Sequence, residues 1–397
     1  MTHRYILLLI LGIDALILFS QTSQVSISST EAELLYGEFS FLQQLVTFSL
    51  NIFGHNDFGL RFVMIIFHIL SVILMYLISL RYIKSPRNRL WLLLMFILLP
   101  GVVSSAILVN SAGLIIFGLL LYIYLSDKLK PLYLNLLLLV YALINVGFVY
   151  LFLGLSLYYL FHKNKKLFFY NIGLYFLSSF IYNFDASGYP SGHFLDTIGI
   201  YSAIFTPVVF IYIFYVLYRR YLTKTTDIVW YISSTALLFS LILSFRQSIP
   251  MEHFAPYLII ALPLAAQTFI SSYRIRLKMY RSKYKAAFII SFVFLLLNTF
   301  AVFFNKELYL IIDNPKKHFA HEMHIANELA DILKSQDILC VKTDPNMQIR
   351  LKFYEIKECP NILLKEQEVS LNKISNVTIG YKNHILYQAT VTKLNKE

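Results

Sequence analysis

Residues 58–80 read FGLRFVMIIFHILSVILMYLISL, an apolar run in which Arg61 is the only formally charged side chain. A helix rises about 1.5 Å per residue, so about 20 apolar residues cross the ~30 Å hydrocarbon core of a bilayer. The run therefore predicts a membrane-spanning helix. Comparable apolar runs occupy residues 5–19, 90–108, 112–126, 131–145, 147–161, 167–182, 198–218, 228–245, 255–270 and 286–304. Together they predict about eleven spans.

The composition agrees with this count. Of 397 residues, 58% are hydrophobic and only 14% are charged, which excludes an ordinary soluble protein. The net charge of +12 comes from Lys and Arg in short connections such as 81–89 and 274–285, so it indicates topology rather than nucleic-acid binding. Alternate connections are basic and acidic. The sequence therefore predicts a polytopic α-helical membrane protein with a cytoplasmic N-terminus and an outer C-terminal tail.

Two domains follow from this topology. Residues 1–304 form the expected membrane domain, which begins with an uncleaved signal anchor and carries a long first outer loop, 20–57. Because basic loops flank both ends of 131–161, that stretch must break near Asn145. Residues 305–397 read as a small extracytoplasmic α/β domain, with a helix over 318–334 and strands at 337–341, 376–381 and 385–391.

The two cysteines, Cys340 and Cys359, both fall in this outer domain. In an oxidising compartment they pair as a disulfide that closes a loop of about 20 residues and contributes roughly 3 kcal/mol, or they remain as two buried thiols. His318, His321, Glu322 and His324 do not fit the zinc pattern His-Glu-x-x-His, since position 325 is Ile325. The sequence predicts no metal site.

The first outer loop combines charge with apolar surface. Residues 30–36 carry Glu31 and Glu33, and residues 39–53 form an apolar run too short to span, which predicts an interfacial helix. Carboxylates close to lipid are costly, so their presence favours a functional role. If the acidic segment is helical, Glu31 and Glu33 do not share a face.

Several motifs resemble the integral-membrane GT-C glycosyltransferases, in the branch of the lipid A aminoarabinose transferases and protein O-mannosyltransferases. The similarity rests on the acidic segment 30–36, on Phe-Gly-x-x-x-Phe-Gly-Leu-Arg at 53–61, and on Leu-Leu-Pro-Gly at 98–101. It extends to His253-x-x-x-Tyr257 and to the Leu-Pro pair at 262–263. The resemblance implies a GT-C membrane fold and an outer C-terminal domain.

The resemblance also implies an activity. Such enzymes transfer a sugar from a polyprenyl-phosphate carrier to a lipid, glycan or protein acceptor at the outer membrane face. A carboxylate accepts the acceptor's proton, and Glu31, with Glu33 as its partner, fills that role; Glu31→Gln should then abolish transfer without lowering the protein level. Two positions depart from the family pattern, because Thr30 and Asn110 stand where relatives carry acids.

Cationic donors must hold the leaving phosphate, and Arg61, Arg246 and His253 are expected to do so. Asn110 and Tyr257 are further candidates for substrate binding. The loop 183–197, with Asp185, Tyr189 and His193, is a weaker candidate for a lid over the acceptor.

The expected location is a bacterial inner membrane, with the bilayer and the lipid-linked sugar as partners and no nucleic acid. Two other classes of protein remain open. A polysaccharide polymerase or ligase would also be polytopic with a large outer loop. A flippase or transporter of lipid-linked sugars would show repeated halves or broken helices around polar residues.

Overall fold

The computed structural model describes residues 2–183, 192–312, 314–367, 377–382 and 384–393. These residues form helices, four short 3-10 turns and a small sheet. The helices are α1 (Thr2–Thr22), α2 (Ser29–Tyr36), α3 (Phe41–Phe53), α4 (Asp57–Tyr82), α5 (Pro86–Ile97), α6 (Pro100–Ile107), α7 (Ser111–Leu125), α8 (Pro131–Ile144), α9 (Val149–Phe161), α10 (Lys165–Ile181), α11 (Phe194–Phe205), α12 (Pro207–Leu222), α13 (Ile228–Leu243), α14 (Met251–Ile259), α15 (Leu262–Ile275), α16 (Lys278–Phe303), α17 (Ala326–Ser335) and α18 (Pro345–Phe353). The strands are β1 (Ile362–Gln367), β2 (Val377–Tyr381) and β3 (His384–Lys393).

Each apolar run predicted to span the membrane is helical in the structure. Within the described residues, four helical stretches are long and apolar enough to cross a membrane, or six if each of two bent pairs counts as one span, compared with about eleven spans expected from the sequence. The bends, 61° between α5 and α6 and 105° between α11 and α12, come directly before Pro100 and Pro207. Proline lacks the amide hydrogen that would continue a helix, so a break at these positions is expected. The chain is a multi-pass membrane protein.

The first bend leaves backbone groups to be satisfied within the membrane. The Thr299 hydroxyl lies 3.0 Å from the carbonyl oxygen of Leu98 and 2.9 Å from that of Leu295, so its one proton is shared between these two acceptors. Broken helices persist in lipid only where neighbouring side chains meet the freed backbone groups in this way.

The predicted break within 131–161 is confirmed. α8 ends at Ile144, the Asn145 side chain accepts a 2.7 Å hydrogen bond from the Gly147 amide, and α9 begins at Val149. Gly147 packs closely against the Ile115 side chain, since a Cβ at position 147 would lie 2.2 Å from it and would force that side chain to shift. Two short helices therefore replace one long helix.

The chain divides into two compact units, each with its own interior. Unit 1 contains Met1–Leu16 and Met64–Thr299, and unit 2 contains Ile17–Val63 and Phe300–Glu397. The first outer loop is therefore grouped with the C-terminal residues rather than with the membrane helices. The predicted functional division at residue 304 stays a prediction.

Unit 1 has a continuous apolar core, with one polar pair near its N-terminal helix. Asp14 on α1 and His68 on α4 are buried, and the Asp14 carboxylate lies 2.8 Å from His68 Nε2. Most of the α1 surface is exposed, with Leu8, Leu9 and Leu16 more than 60% accessible. The Asp14–His68 pair is thus a polar contact between α1 and α4, on a helix α1 whose surface is otherwise apolar.

Unit 2 contains the antiparallel sheet, in the order β1-β3-β2. β2 and β3 match two of the predicted strands, whereas residues 337–341 form only an isolated bridge from Cys340 to Lys357. β1 and α18 were not predicted. The helical prediction over 318–334 is confirmed only in its second half, where α17 begins at Ala326.

The structure contains the Cys340–Cys359 disulfide, with Cα atoms 5.5 Å apart. The disulfide closes a loop within unit 2 and so lowers the conformational entropy of the unfolded chain. It lies next to the parallel backbone pairing of residues 340 and 357.

The Asp14–His68 pair gives a first prediction. Asp14→Leu or His68→Leu should each lower the free energy of unfolding by about 1–3 kcal/mol, because each leaves one polar group buried without its partner. The double variant should lose less than the sum of the two losses. Unfolding of the detergent-purified protein in a double-mutant cycle measures this, and additive losses would show that the pair is not coupled.

Two buried histidines of unit 2, His318 and His324, lie close together, with ring centroids 6.1 Å apart. His318 is buried between Tyr309, whose ring centroid lies 4.2 Å away, and Phe319. His324 is 3% exposed, and neither of its ring nitrogens has a hydrogen-bond partner in the described part of the chain. Burial, reinforced by the nearby Lys306 charge, lowers the pKa of His324 to about 3.

His324 therefore predicts acid sensitivity. The unfolded chain binds a proton near pH 6.5 but the folded chain resists it down to about pH 3, so stability is complete above pH 6.5 and falls as the pH is lowered. The loss approaches about 1.4 kcal/mol per pH unit for one such group. Thermal unfolding between pH 7 and pH 4 should show a shallower slope for His324→Leu than for the wild type. Equal slopes would contradict the assignment.

Candidate functional site

A buried ion pair stands at the start of α2. Ser28 is extended and precedes the helix, and its hydroxyl accepts a hydrogen bond from the Glu31 amide while the Glu31 side chain accepts one from the Ser28 amide at 3.0 Å. This reciprocal cap fixes Glu31 in the first turn, where a carboxylate is favoured by the helix dipole. Glu31 is 1% exposed.

Arg61 on α4 binds the same carboxylate. Its Nε and Nη2 atoms donate to the two Glu31 oxygens at 3.0 and 2.7 Å, a bidentate arrangement. Its remaining donors bind the carbonyl oxygens of Thr22 at 3.2 Å, Ser26 at 3.0 Å and Val25. A guanidinium has five N–H donors, and these contacts occupy all of them.

Asp57 extends this network. Its carboxylate accepts hydrogen bonds from the Tyr354 hydroxyl at 2.7 Å and the Asn327 amide at 3.0 Å, and Arg61 Nη1 lies 3.9 Å away. Burial and the Asp57 carboxylate both raise the pKa of Tyr354, so the hydroxyl stays protonated and donates. The Tyr354 oxygen also accepts a bond from the Ile27 amide at 3.0 Å. The network thus connects Ile27, Asp57 and Arg61 with α17 and with Tyr354, the residue that follows α18, inside unit 2.

Glu33 lies on the opposite side of α2 from Glu31. Its side chain is exposed, as the i, i+2 spacing predicts. Of the two predicted catalytic carboxylates, the structure thus buries one in an ion pair and leaves the other accessible.

A second polar group lies in unit 1, around the turn that precedes α7. Asn110 caps α7 by accepting a bond from the Gly113 amide at 3.4 Å. The Ser111 amide donates to the Glu252 carboxylate at 3.1 Å, and the Asn145 side chain lies 3.4 Å from the Ser111 hydroxyl. Glu252 is exposed. One of its oxygens is held by a backbone amide while the side chain remains accessible.

The other predicted binding residues of unit 1 occupy different environments. Arg246 is exposed, and His253 is half-buried next to Glu252 in the first turn of α14. Tyr257, one turn further on, is fully buried, and its hydroxyl donates to the Gly147 carbonyl at 2.6 Å. Tyr257 therefore anchors α14 to the turn between α8 and α9, and its hydroxyl is already used.

Sequence reasoning did not identify Glu252 or the role of Asp57. Glu252 precedes the His253-x-x-x-Tyr257 motif, and its side chain is brought to Ser111 only by the pairing of α14 with α7, which no local pattern reveals. Asp57 lies in the recognised motif at 53–61 and is the first residue of the long helix α4. An acidic residue is common in the first turn of a helix, so the sequence marked Asp57 as a helix start and not as part of a site.

Of the predicted lid, Asp185 and Tyr189 lie outside the described residues; His193 precedes α11 and lies 3.7 Å from the Asp196 carboxylate. Within the described ranges, no three or more His, Cys, Asp or Glu side chains gather as a metal ion would require.

Comparison with known proteins identifies the fold. No protein-family model and no curated protein sequence matches the chain. The crystal structure of ArnT from Cupriavidus metallidurans in the apo state is similar over 89% of this chain and 76% of that chain, with a TM-score of 0.53 and 12% identity. This chain therefore shares its fold with that ArnT structure. The family resemblance in the motifs is thus confirmed as a likeness of fold.

The Glu31–Arg61 pair predicts a loss of stability rather than of chemistry alone. Glu31→Gln or Arg61→Leu should destabilise the protein by about 3–5 kcal/mol, because each leaves a buried charge without its partner. The measurements are the unfolding midpoint in detergent and the amount of protein in membranes.

Glu33→Gln is the matched control. It removes a carboxylate from the exposed side of the same helix and should leave the midpoint unchanged. A Glu31→Gln protein with the wild-type midpoint and level would show that the ion pair does not stabilise unit 2.

Proposed function

We propose that this protein is a membrane glycosyltransferase that moves a sugar from a polyprenyl-phosphate donor to an acceptor on the outer face of a bacterial inner membrane. The GT-C fold supports the reaction class. The single observation that carries the proposal is the Glu252 carboxylate at the turn before α7.

This turn is where the family resemblance implies an acid and where the sequence instead has Asn110. The Ser111 amide holds the Glu252 carboxylate at that turn. We therefore assign to Glu252 the carboxylate function that Asn110 does not provide. One oxygen is oriented by the backbone, and the other is available to a substrate hydroxyl.

The transfer step balances with these groups. The acceptor hydroxyl attacks the anomeric carbon of the donor sugar and gives its proton to Glu252, while the bond between the anomeric carbon and the phosphate oxygen breaks. The sugar passes to the acceptor, and the polyprenyl phosphate leaves with the bond's electron pair. A group that stabilises the developing negative charge on this phosphate accelerates the step.

Arg246 and His253 are the proposed partners of that phosphate. Arg246 is exposed in the loop before α14, and His253 is adjacent to Glu252. A guanidinium binds phosphate through paired, charge-assisted hydrogen bonds, and a histidine supplies a further donor when protonated. Both residues belong to unit 1, as does Glu252.

The roles expected for three other residues change. Arg61 has no donor left for a phosphate, Tyr257 has used its hydroxyl, and Glu31 is buried against Arg61. We assign all three to structural support. Glu33 keeps an exposed carboxylate, and its expected catalytic role stays a prediction.

The disulfide supports the proposed orientation. Disulfides persist in the oxidising compartments outside the cytoplasm, and Cys340–Cys359 lies in the C-terminal domain that the charge pattern assigns to the outer side. The same orientation brings a lipid-linked donor to the outer leaflet, where the proposed transfer occurs.

A transfer assay tests this function. Membranes that contain the protein, supplied with a radiolabelled polyprenyl-phosphate sugar, should produce labelled lipid, glycan or protein. Glu252→Gln should lower the rate by about 10²–10⁴-fold, the usual contribution of a general base, at an unchanged protein level. Glu38→Gln, which alters an exposed carboxylate after α2, is the matched control and should retain activity.

Full activity of Glu252→Gln would overturn the assigned base.

A deletion strain separates the reaction classes, because loss of a transferase removes a sugar from surface glycolipids or glycoproteins, as measured by mass spectrometry. Accumulation of intact lipid-linked sugar on the inner face would instead identify a flippase.

A further inference from the structure

A large apolar cavity lies within unit 1, separate from the polar turn at Glu252. It has a volume of about 670 Å³ and lies between α5, α12, α15 and α16, open on one side. Its walls are mainly aromatic and aliphatic, and include Trp91, Met95, Tyr212, Ala266, Phe269 and Phe288. Sites that hold small organic ligands usually measure about 300–1,000 Å³. The cavity therefore has the size and lining of a ligand site.

One end of this cavity is strongly cationic. Arg274, in the last turn of α15, and Lys285, on α16, both line it. Both side chains are exposed, and neither forms an ion pair or side-chain hydrogen bond within the described part of the chain. No Asp or Glu occurs between residues 253 and 306, so no acidic side chain of α15 or α16 neutralises them.

Neighbouring cations are arranged differently. Arg219 donates to the Ser272 hydroxyl at 2.8 Å, and Arg276 stacks on the Tyr284 ring at 4.0 Å from its centroid. Tyr284 also lines the cavity. These contacts hold the basic ends of α12, α15 and α16 together, while Arg274 and Lys285 remain available at the mouth.

An apolar cavity with a cationic mouth matches an amphiphile that carries negative charge at one end. Basic pockets between membrane helices on the cytoplasmic side bind anionic lipid headgroups. The connection between α15 and α16 is among the most basic in the chain, and the positive-inside rule assigns such connections to the cytoplasm. The complementary ligand at that depth is a phospholipid of the inner leaflet.

We propose that this cavity binds an anionic phospholipid, with an acyl chain among Trp91, Phe269 and Phe288 and its phosphate between Arg274 and Lys285. The site is distinct from the proposed transfer site. Glu252 and Arg274 lie at opposite ends of the stretch Met251–Ile275, which corresponds to a separation of roughly 30 Å along the helix. The lipid is a structural or regulatory ligand and not the sugar donor.

Native mass spectrometry of the full-length protein tests the proposal. The detergent-solubilised protein is mixed with increasing concentrations of phosphatidylglycerol or phosphatidylcholine, and the detergent is removed in the mass spectrometer. The two lipids have similar chains but different headgroup charge. The wild type should retain phosphatidylglycerol preferentially. Arg274→Ala combined with Lys285→Ala should weaken that binding by about 30-fold, because each cation near the headgroup contributes about fivefold.

Lys283→Ala is the matched control, since it removes an exposed cation from the same helix that does not line the cavity, and it should bind as the wild type does. Arg274→Lys should retain most of the affinity, because the charge is kept. Ala266→Trp, which fills the cavity, should reduce the binding of both lipids.

Three results would overturn the proposal. The first is equal retention of the two lipids by the wild type, and the second is unchanged phosphatidylglycerol binding in the Arg274→Ala, Lys285→Ala protein. The third is displacement of phosphatidylglycerol by a polyprenyl phosphate at lower concentration, which would identify a donor-lipid site. Because binding is measured without sugar transfer, these outcomes are independent of the activity of Glu252→Gln.

Discussion

The burial of the Arg61 guanidinium is the constraint on which unit 2 depends. A charged group without access to water must find a counter-ion and an acceptor for every donor. Glu31 provides the counter-ion, and the carbonyl oxygens of residues 22, 25 and 26 accept the remaining hydrogen bonds. The carbonyl oxygen of Thr22 is available because it ends α1 and has no partner within that helix. The path of the chain from α1 to α2 is therefore set by one side chain on α4.

The same constraint explains why the acidic segment 30–36 has two faces. Glu31 stabilises the first turn of α2 and neutralises Arg61, whereas Glu33 faces away from this pair. Ser29 and Tyr36 meet residues of the C-terminal part of unit 2, through a 2.7 Å hydrogen bond to Glu322 and a cation–π contact with Lys352. The helix α2 therefore binds the C-terminal part of unit 2 on one side and leaves the Glu33 carboxylate exposed on the other.

Much of the helical architecture was predictable because its signals are local. Length and hydropathy located each apolar run, alternating charge required the break near Asn145, and Pro100 and Pro207 coincide with the two bends. The C-terminal domain was harder to predict. β1 has the sequence ILLKEQ, which lacks clear alternation, and it becomes a strand by pairing with β3, between Gln367 and Gln388 at one end and Ile362 and Lys393 at the other.

The candidate site was only partly predictable, for a similar reason. A sequence shows which residues are charged but not which charges neutralise each other, so Arg61 suggested a phosphate ligand until Glu31 was found beside it. Tyr257 likewise suggested a substrate contact before the Gly147 carbonyl was found to accept a hydrogen bond from its hydroxyl. Conversely, the missing acid at Asn110 concealed Glu252, which reaches that turn from a helix more than a hundred residues away. Long-range pairing therefore decides the contacts of each of these side chains.

The hydrogen bond between Asp57 and Tyr354 joins residues 297 positions apart. At a synthesis rate of about 5–20 residues per second, Tyr354 emerges roughly 15–60 s after Asp57. During that interval the segment around Asp57 exists without the partners that later enclose it, while most of the membrane helices are still being made. Completion of unit 2 is therefore a late event, because it waits for the synthesis of the residues around Tyr354.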